Sequence, residues 1–206
     1  MDRKINDEGL ALIKQWEGFV PYAYDDADPS RPRRPIQPGD RVVGKLTIGY
    51  GHTRTVQPGM TITEEEAERL LRQDLMLCES AVARAITVPL TDNQFAALVS
   101  FAYNLGHSMS HGAPLRNIAE TLNRGDYAGA FRRMGLYTKQ RKNGRLVTVP
   151  GLVNRRAAEA GLWARGEFVS SASERAEAPK APPSVAIDAG TTGSIAALAA
   201  AVAPLV

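Results

Sequence analysis

The sequence predicts an α+β protein, mostly helical, with one small β-hairpin or sheet near its N-terminus. Three observations lead there. Helical apolar spacing with capping signals recurs from residue 63 onward, and it vanishes between Val20 and Tyr50, where PYAYDD and VVGKLTIGYG read as short strands. The 206 residues, 44% hydrophobic and 23% charged, suit one well-buried domain with an appendage.

The first helix is predicted within INDEGLALIKQWEG. Asn6 is a capping residue, Ile5 and Leu10 are spaced as a hydrophobic staple, and Leu10, Ile13 and Trp16 or Glu17 fall on one side before Gly18 ends the run. The two strands then flank DADPSRPRRPIQPGD, a loop with four prolines. Thr63 and Glu66 form a capping box with three acids in the first turn. Ala67, Leu70, Leu71, Leu75, Cys78 and Val82 continue its apolar stripe, which predicts a long helix.

A second capping box, Thr91 with Gln94, opens a helix through Leu98, Val99, Ala102 and Leu105 that stops at Gly106. Its nearly all-round apolarity marks it as central and buried. Pro114 starts another helix through Ile118 and Leu122 to Gly125, and DYAGAFRRM follows as a short one. KQRKNGR reads as a basic loop, leading to a last helix from about Gly151 to Arg165. After Phe168 the composition turns to Pro, Ala and Ser. Residues 1–168 are therefore expected to form the folded domain, and 169–206 a linker with a low-complexity apolar tail too short to span a bilayer.

A net charge of +3 is too mild for a nucleic-acid arm, though compatible with an anionic surface such as cell wall or lipopolysaccharide. The single cysteine, Cys78, excludes an internal disulfide and sits at helical core spacing, the pattern of a buried thiol. MDRKINDEGL has no apolar run, so no signal peptide is expected there. An activity outside the cytoplasm would need another route out.

The residues that could do chemistry begin with Glu17. A helix C-terminal end and the neighbouring Trp16 and Phe19 disfavour a charged carboxylate, the property a general acid needs. A lone Glu at a helix end is nonetheless most often just solvated. Asp25, Asp26 and Asp28 compete by type for a second carboxyl role. In extended chain, residues nine apart would be roughly 30 Å apart, so a pair forms only if the strand runs back beside the helix. Two carboxyls about 5–10 Å apart are the equipment for cleaving a glycosidic bond. Tyr22, Tyr24 and Tyr50 offer rings for stacking a sugar, or simply for packing.

Four segments in order, EGFVPYAYDD, LTIGYGHT at 46–53, NQFAALVSFAYNLG at 93–106 and PGLVNRRAAEAGLW at 150–163, resemble the phage-type lysozymes, or endolysins, of glycoside hydrolase family 24. The resemblance covers about residues 5–166. It implies a lysozyme-like fold whose β element flanks an active-site cleft, and hydrolysis of the β-1,4 bond between N-acetylmuramic acid and N-acetylglucosamine without metal or cofactor. It implies Glu17 as general acid, Asp26 as second carboxylate and Thr47 as a holder of the attacking water, with inversion at the anomeric carbon. Asp25 then falls one place out of register. Arg155 occupies the place of an arginine that looks toward the catalytic Glu, where its charge would favour the carboxylate. The implied partner is the peptidoglycan strand, met as a monomer, after a holin-type lesion lets the chain out to the wall.

Two departures stand out. Twenty residues, 27–46, separate Asp26 from Thr47 where relatives have a short turn; Arg31, Arg33, Arg34 and Arg41 in it would either touch anionic wall or stay solvated. Tyr137 stands where many relatives have Trp. His52 reads as an anchor of the turn after the second strand. His107 and His111 lack the companions of a metal site, GYG lacks the rest of a nucleotide fingerprint, and the basic loop lacks the aromatics of a nucleic-acid surface. A lytic transglycosylase and a non-catalytic wall-binding or virion module remain as rival functions.

Overall fold

The computed structural model describes residues 3–30, 32–142 and 144–165, and the linker and tail expected at 169–206 lie outside the described residues. In chain order the elements are α1 (Asp7–Glu17), β1 (Val20–Asp25), β2 (Leu46–Gly49), α2 (Glu64–Ala85), α3 (Asp92–Leu105), α4 (Pro114–Leu122), α5 (Tyr127–Met134), β3 (Lys139–Lys142), β4 (Arg145–Thr148) and α6 (Pro150–Ala164). The class is the α+β one expected. The chain divides into two compact units, Ile13–Leu77 and a second made of the described residues up to Leu12 and from Cys78 on.

The caps read from sequence set the helix ends. Asn6 Oδ1 accepts the Gly9 N–H at 2.9 Å. At the other end of α1, Gly18 takes φ +72°, a left-handed turn-out that a side chain would resist. Thr63 and Glu66 exchange the two hydrogen bonds of a capping box, as do Thr91 and Gln94.

In the Ile13–Leu77 unit, β1 and β2 pair antiparallel with Val20 opposite Gly49, Tyr24 opposite Thr47 and Asp25 opposite Leu46. The other edge of β1 is also used. Ala23 N–H donates to Met60 O at 3.0 Å, Ile62 N–H to Pro21 O at 2.9 Å, and Ile36 N–H to Ala23 O at 2.8 Å. Ile36 therefore carries the insertion into the core with Ile13, Ala23, Ile48, Leu71 and Leu75, all nearly inaccessible. The proline-rich segment is anchored at its middle because burying one isoleucine contributes about 1.5–3 kcal/mol.

In the second unit α3 is central as expected, with every residue from Gln94 to Ala102 buried, and it packs on α4 and α6. Phe95, Leu98, Phe101, Leu115, Ile118 and Leu122 form its core. One expectation fails here. The predicted basic loop is instead a hairpin, β3–β4, with Lys139 opposite Thr148 and Lys142 opposite Arg145. The signal in the sequence was the pair Asn143-Gly144, which suits a two-residue hairpin turn.

Candidate active site

Glu17 is the last residue of α1 and is half-buried, as is Trp16 beside it. Phe19 follows Gly18 and lies 5.7 Å, centroid to centroid, from the Tyr50 ring.

The neighbouring aspartates differ in what they touch. Asp25 is 5% exposed, and its carboxylate accepts the backbone N–H groups of Val43 (2.6 Å), Gly44 (2.9 Å) and Ala27 (3.0 Å). Those donors, Val43 foremost, hold its carboxyl below the usual carboxylate range despite burial. Asp26 is exposed, with Oδ1 accepting the Lys45 N–H at 2.7 Å. The ladder continues past β1, because Asp26 N–H donates to Lys45 O at 3.1 Å. The same carbonyl accepts the Thr47 hydroxyl at 3.1 Å. Asp26 and Thr47 are thus both tied to one residue's peptide groups.

Gly44 is needed for this approach. A Cβ there would collide with Asp26 Oδ1 and lie 2.7 Å from Asp25 Oδ1.

The remaining candidates separate by role. Tyr24 is half-buried beneath Arg33, whose guanidinium carbon is 4.8 Å from the ring centroid and whose Nη1 donates to Asp28 O at 2.6 Å. Arg34 pairs with Asp40 at 3.2 Å, so both arginines hold the insertion's own fold. Tyr50 is 4% exposed and donates its hydroxyl to Glu64 at 2.7 Å, while Lys14 lies over its ring and bridges Glu64 and Glu68 at 3.1 Å each. That is a packing arrangement rather than an open sugar platform. His52, 5% exposed, places Nδ1 2.8 Å from Asp74 and Nε2 2.9 Å from Thr55 Oγ1. Its backbone closes on Ile48 with two hydrogen bonds, 2.9 and 3.0 Å, so it pins the turn that follows Thr47.

Arg155 and Tyr137 belong to the other unit. Arg155 is 4% exposed and donates toward Glu159 Oε1 and Ser100 O, each at 3.4 Å. Glu159, fully buried, also accepts from Ser100 Oγ at 2.8 Å and Arg156 at 2.9 Å; burial pushes its carboxyl up while the two guanidiniums pull it down. Tyr137 stacks edge-on with Phe101 at 5.2 Å and accepts from Asn117 at 3.0 Å. Among the described residues no three His, Cys, Asp or Glu gather as metal ligands.

Sequence reasoning passed over Gly44, Lys45, Asp74 and Glu159. Gly44 was visible as a glycine inside a strand-like run, a mark of close backbone approach.

A mostly helical chain with small antiparallel sheets, the first following directly on the first helix, has the lysozyme-like α+β architecture. The phage lysozyme family matches residues 14–159, and the chain belongs to that family. An endolysin of Acyrthosiphon pisum secondary endosymbiont phage 1 is 35% identical over 159 residues, 77% of this chain and 97% of that one. Among solved structures, the muramidase domain of SpmX from Asticaccaulis excentricus has a TM-score of 0.66 at 33% identity, covering 78% of this chain and 97% of that one. The endolysin of Escherichia coli O157:H7 phage FAHEc1 has the same score and identity over 82% and 98%.

Proposed function

We propose that the chain is an endolysin, a muramidase that hydrolyses the β-1,4 bond between N-acetylmuramic acid and N-acetylglucosamine of peptidoglycan and so lyses a bacterial host. The observation that carries the assignment of roles is the Lys45 backbone, which engages the Asp26 carboxylate and the Thr47 hydroxyl together. Asp25, by contrast, has its carboxylate taken up by three backbone donors.

In this reading Glu17 protonates the leaving glycosidic oxygen. Asp26 accepts a proton from a water that Thr47 helps to hold, and that water adds to the anomeric carbon with inversion. Arg155 and Tyr137 are assigned supporting roles, as the family resemblance implies, while Tyr24, Tyr50 and His52 brace the β1–β2 sheet and the turn that follows it. No cofactor or metal takes part. Residues 1–168 form the catalytic domain, and 169–206 its linker and tail.

The protein works as a monomer, reaching the wall from the host cytoplasm through a holin-type lesion. The exposed cations of β3–β4 support a weak additional contact with anionic wall or lipopolysaccharide, and nucleic acid is not among the proposed partners.

The test is product analysis on purified sacculi. Wild type should release muropeptides with reducing ends, and Glu17→Gln should release none while keeping its thermal transition. Full activity in Glu17→Gln would sink the assignment of the acid. Products ending in 1,6-anhydro sugar would make the enzyme a lytic transglycosylase, and binding without release would leave only a wall-binding module.

A further inference from the structure

Asp25 does more than stand out of register. Its three donors come from both ends of the insertion: Ala27 at the start, Val43 and Gly44 at the finish. One buried carboxylate therefore closes the whole 27–44 segment at its base. Long loops leave their ends free to wander unless something ties them. Lys45 comes immediately after the tie, and its N–H and C=O address Asp26 and Thr47.

We propose that Asp25 is a positioning residue for the hydrolytic step: by clamping the base of the insertion it fixes the Lys45 peptide groups that aim the Asp26 carboxylate and the Thr47 hydroxyl. The inference rests on Asp26 and Thr47 being the water-holding pair. Two further features belong with it. The carboxylate is shielded and accepts from three backbone donors, so it serves the chain and not a substrate. Gly44 lets the clamped strand approach both aspartates at a distance no side chain would permit. A misplacement of about 1 Å at reacting groups costs on the order of 100-fold in rate, so a clamp on the residue next to Asp26 bears on turnover more than on binding.

The experiment compares full-length Asp25→Ala, Asp25→Asn and Asp26→Asn with wild type. Steady-state hydrolysis of soluble uncrosslinked peptidoglycan is measured beside thermal unfolding and Lys45 amide exchange. Asp25→Ala should lower kcat on the order of 10–100-fold with KM little changed, and should speed Lys45 exchange. Asp25→Asn keeps one accepting oxygen and should recover part of both. Intact kcat per folded molecule in the Asp25 variants overturns the clamp, as does an activity loss that merely tracks the unfolded fraction. Where Asp25→Ala fails to fold, Asp25→Asn decides by the same criterion. Asp26→Asn separates the two levels: full activity there removes the assignment beneath the clamp, whereas loss there beside intact Asp25 variants overturns the clamp alone.

Discussion

Asp26 and Lys45 exchange two hydrogen bonds, Lys45 N–H to Asp26 Oδ1 at 2.7 Å and Asp26 N–H to Lys45 O at 3.1 Å. The second continues the β1–β2 ladder one rung beyond Asp25 and Leu46. The insertion therefore leaves and re-enters the sheet at the same rung. Its length does not disturb the Tyr24–Thr47 register, because a one-residue slip would turn the buried Ala23 and Ile48 to the opposite face of the sheet.

Gly44→Ala tests how tightly that rung is built. The added methyl collides with Asp26 Oδ1 and crowds Asp25 Oδ1, so the strand end must shift or the aspartates must turn. Overpacking of this kind costs about 1–3 kcal/mol. Muropeptide release should fall more steeply than thermal stability, since the displaced atoms are those assigned to water. Unaltered release at equal folded concentration would show slack in the turn.

His52 gives a stability prediction. Its ring is held on both nitrogens and is 5% exposed, and truncating it leaves the Asp74 carboxylate and the Thr55 hydroxyl without that partner. His52→Ala should cost roughly 3 kcal/mol, about 6–12 °C in Tm for a chain of this size. Asp74→Asn keeps an acceptor oxygen and should cost less. A shift of His52→Ala within about 2 °C would contradict the network.

The fold was legible wherever local chemistry fixes an element by itself. Asn6, Thr63 and Thr91 announced three helix starts, and the all-round apolarity of 94–102 announced the central helix. What stayed hidden depends on contacts across sequence distance. That Asp25 serves Val43 and Gly44, or that Ile36 enters the core beside Ala23, cannot be read from either segment alone. Tyr50 shows the same limit: ring chemistry suits sugar stacking, yet Glu64 and Lys14, fourteen and thirty-six residues away, engage it instead. The proposed roles of Glu17, Asp26 and Thr47 rest on the order of four motifs, not on any single one.

Acid should destabilise the Ile13–Leu77 unit in a defined direction. Asp25 is lowered first by the Val43 N–H, Glu68 first by Lys14, and Glu64 first by the Tyr50 hydroxyl. Each folded pKa lies below its unfolded value, so each contribution is present above the unfolded carboxylate range near pH 4 and is lost as pH falls through the folded values. Urea midpoints measured from about pH 5 downward should decline, and Asp25→Asn should decline less steeply than wild type. An equal slope in the two proteins would mean the Asp25 carboxylate does not contribute.

The β3–β4 hairpin supplies the last test. All of its described residues are exposed, and Lys139, Arg141, Lys142 and Arg145 project from it beside Leu146 and Val147, 62% and 41% exposed. Arg132 and Arg133 precede it, and no acidic residue occurs between Tyr127 and Ala158, so this stretch carries charge of one sign. Opposite charge on an envelope surface would attract it over roughly a Debye length, about 10 Å at 0.1 M salt and about 3 Å at 1 M. Replacing the four hairpin cations with Gln should therefore weaken retention of the full chain on lipopolysaccharide-bearing vesicles at low ionic strength, with the difference closing as salt is raised. Equal retention at low salt would assign the hairpin no part in envelope contact.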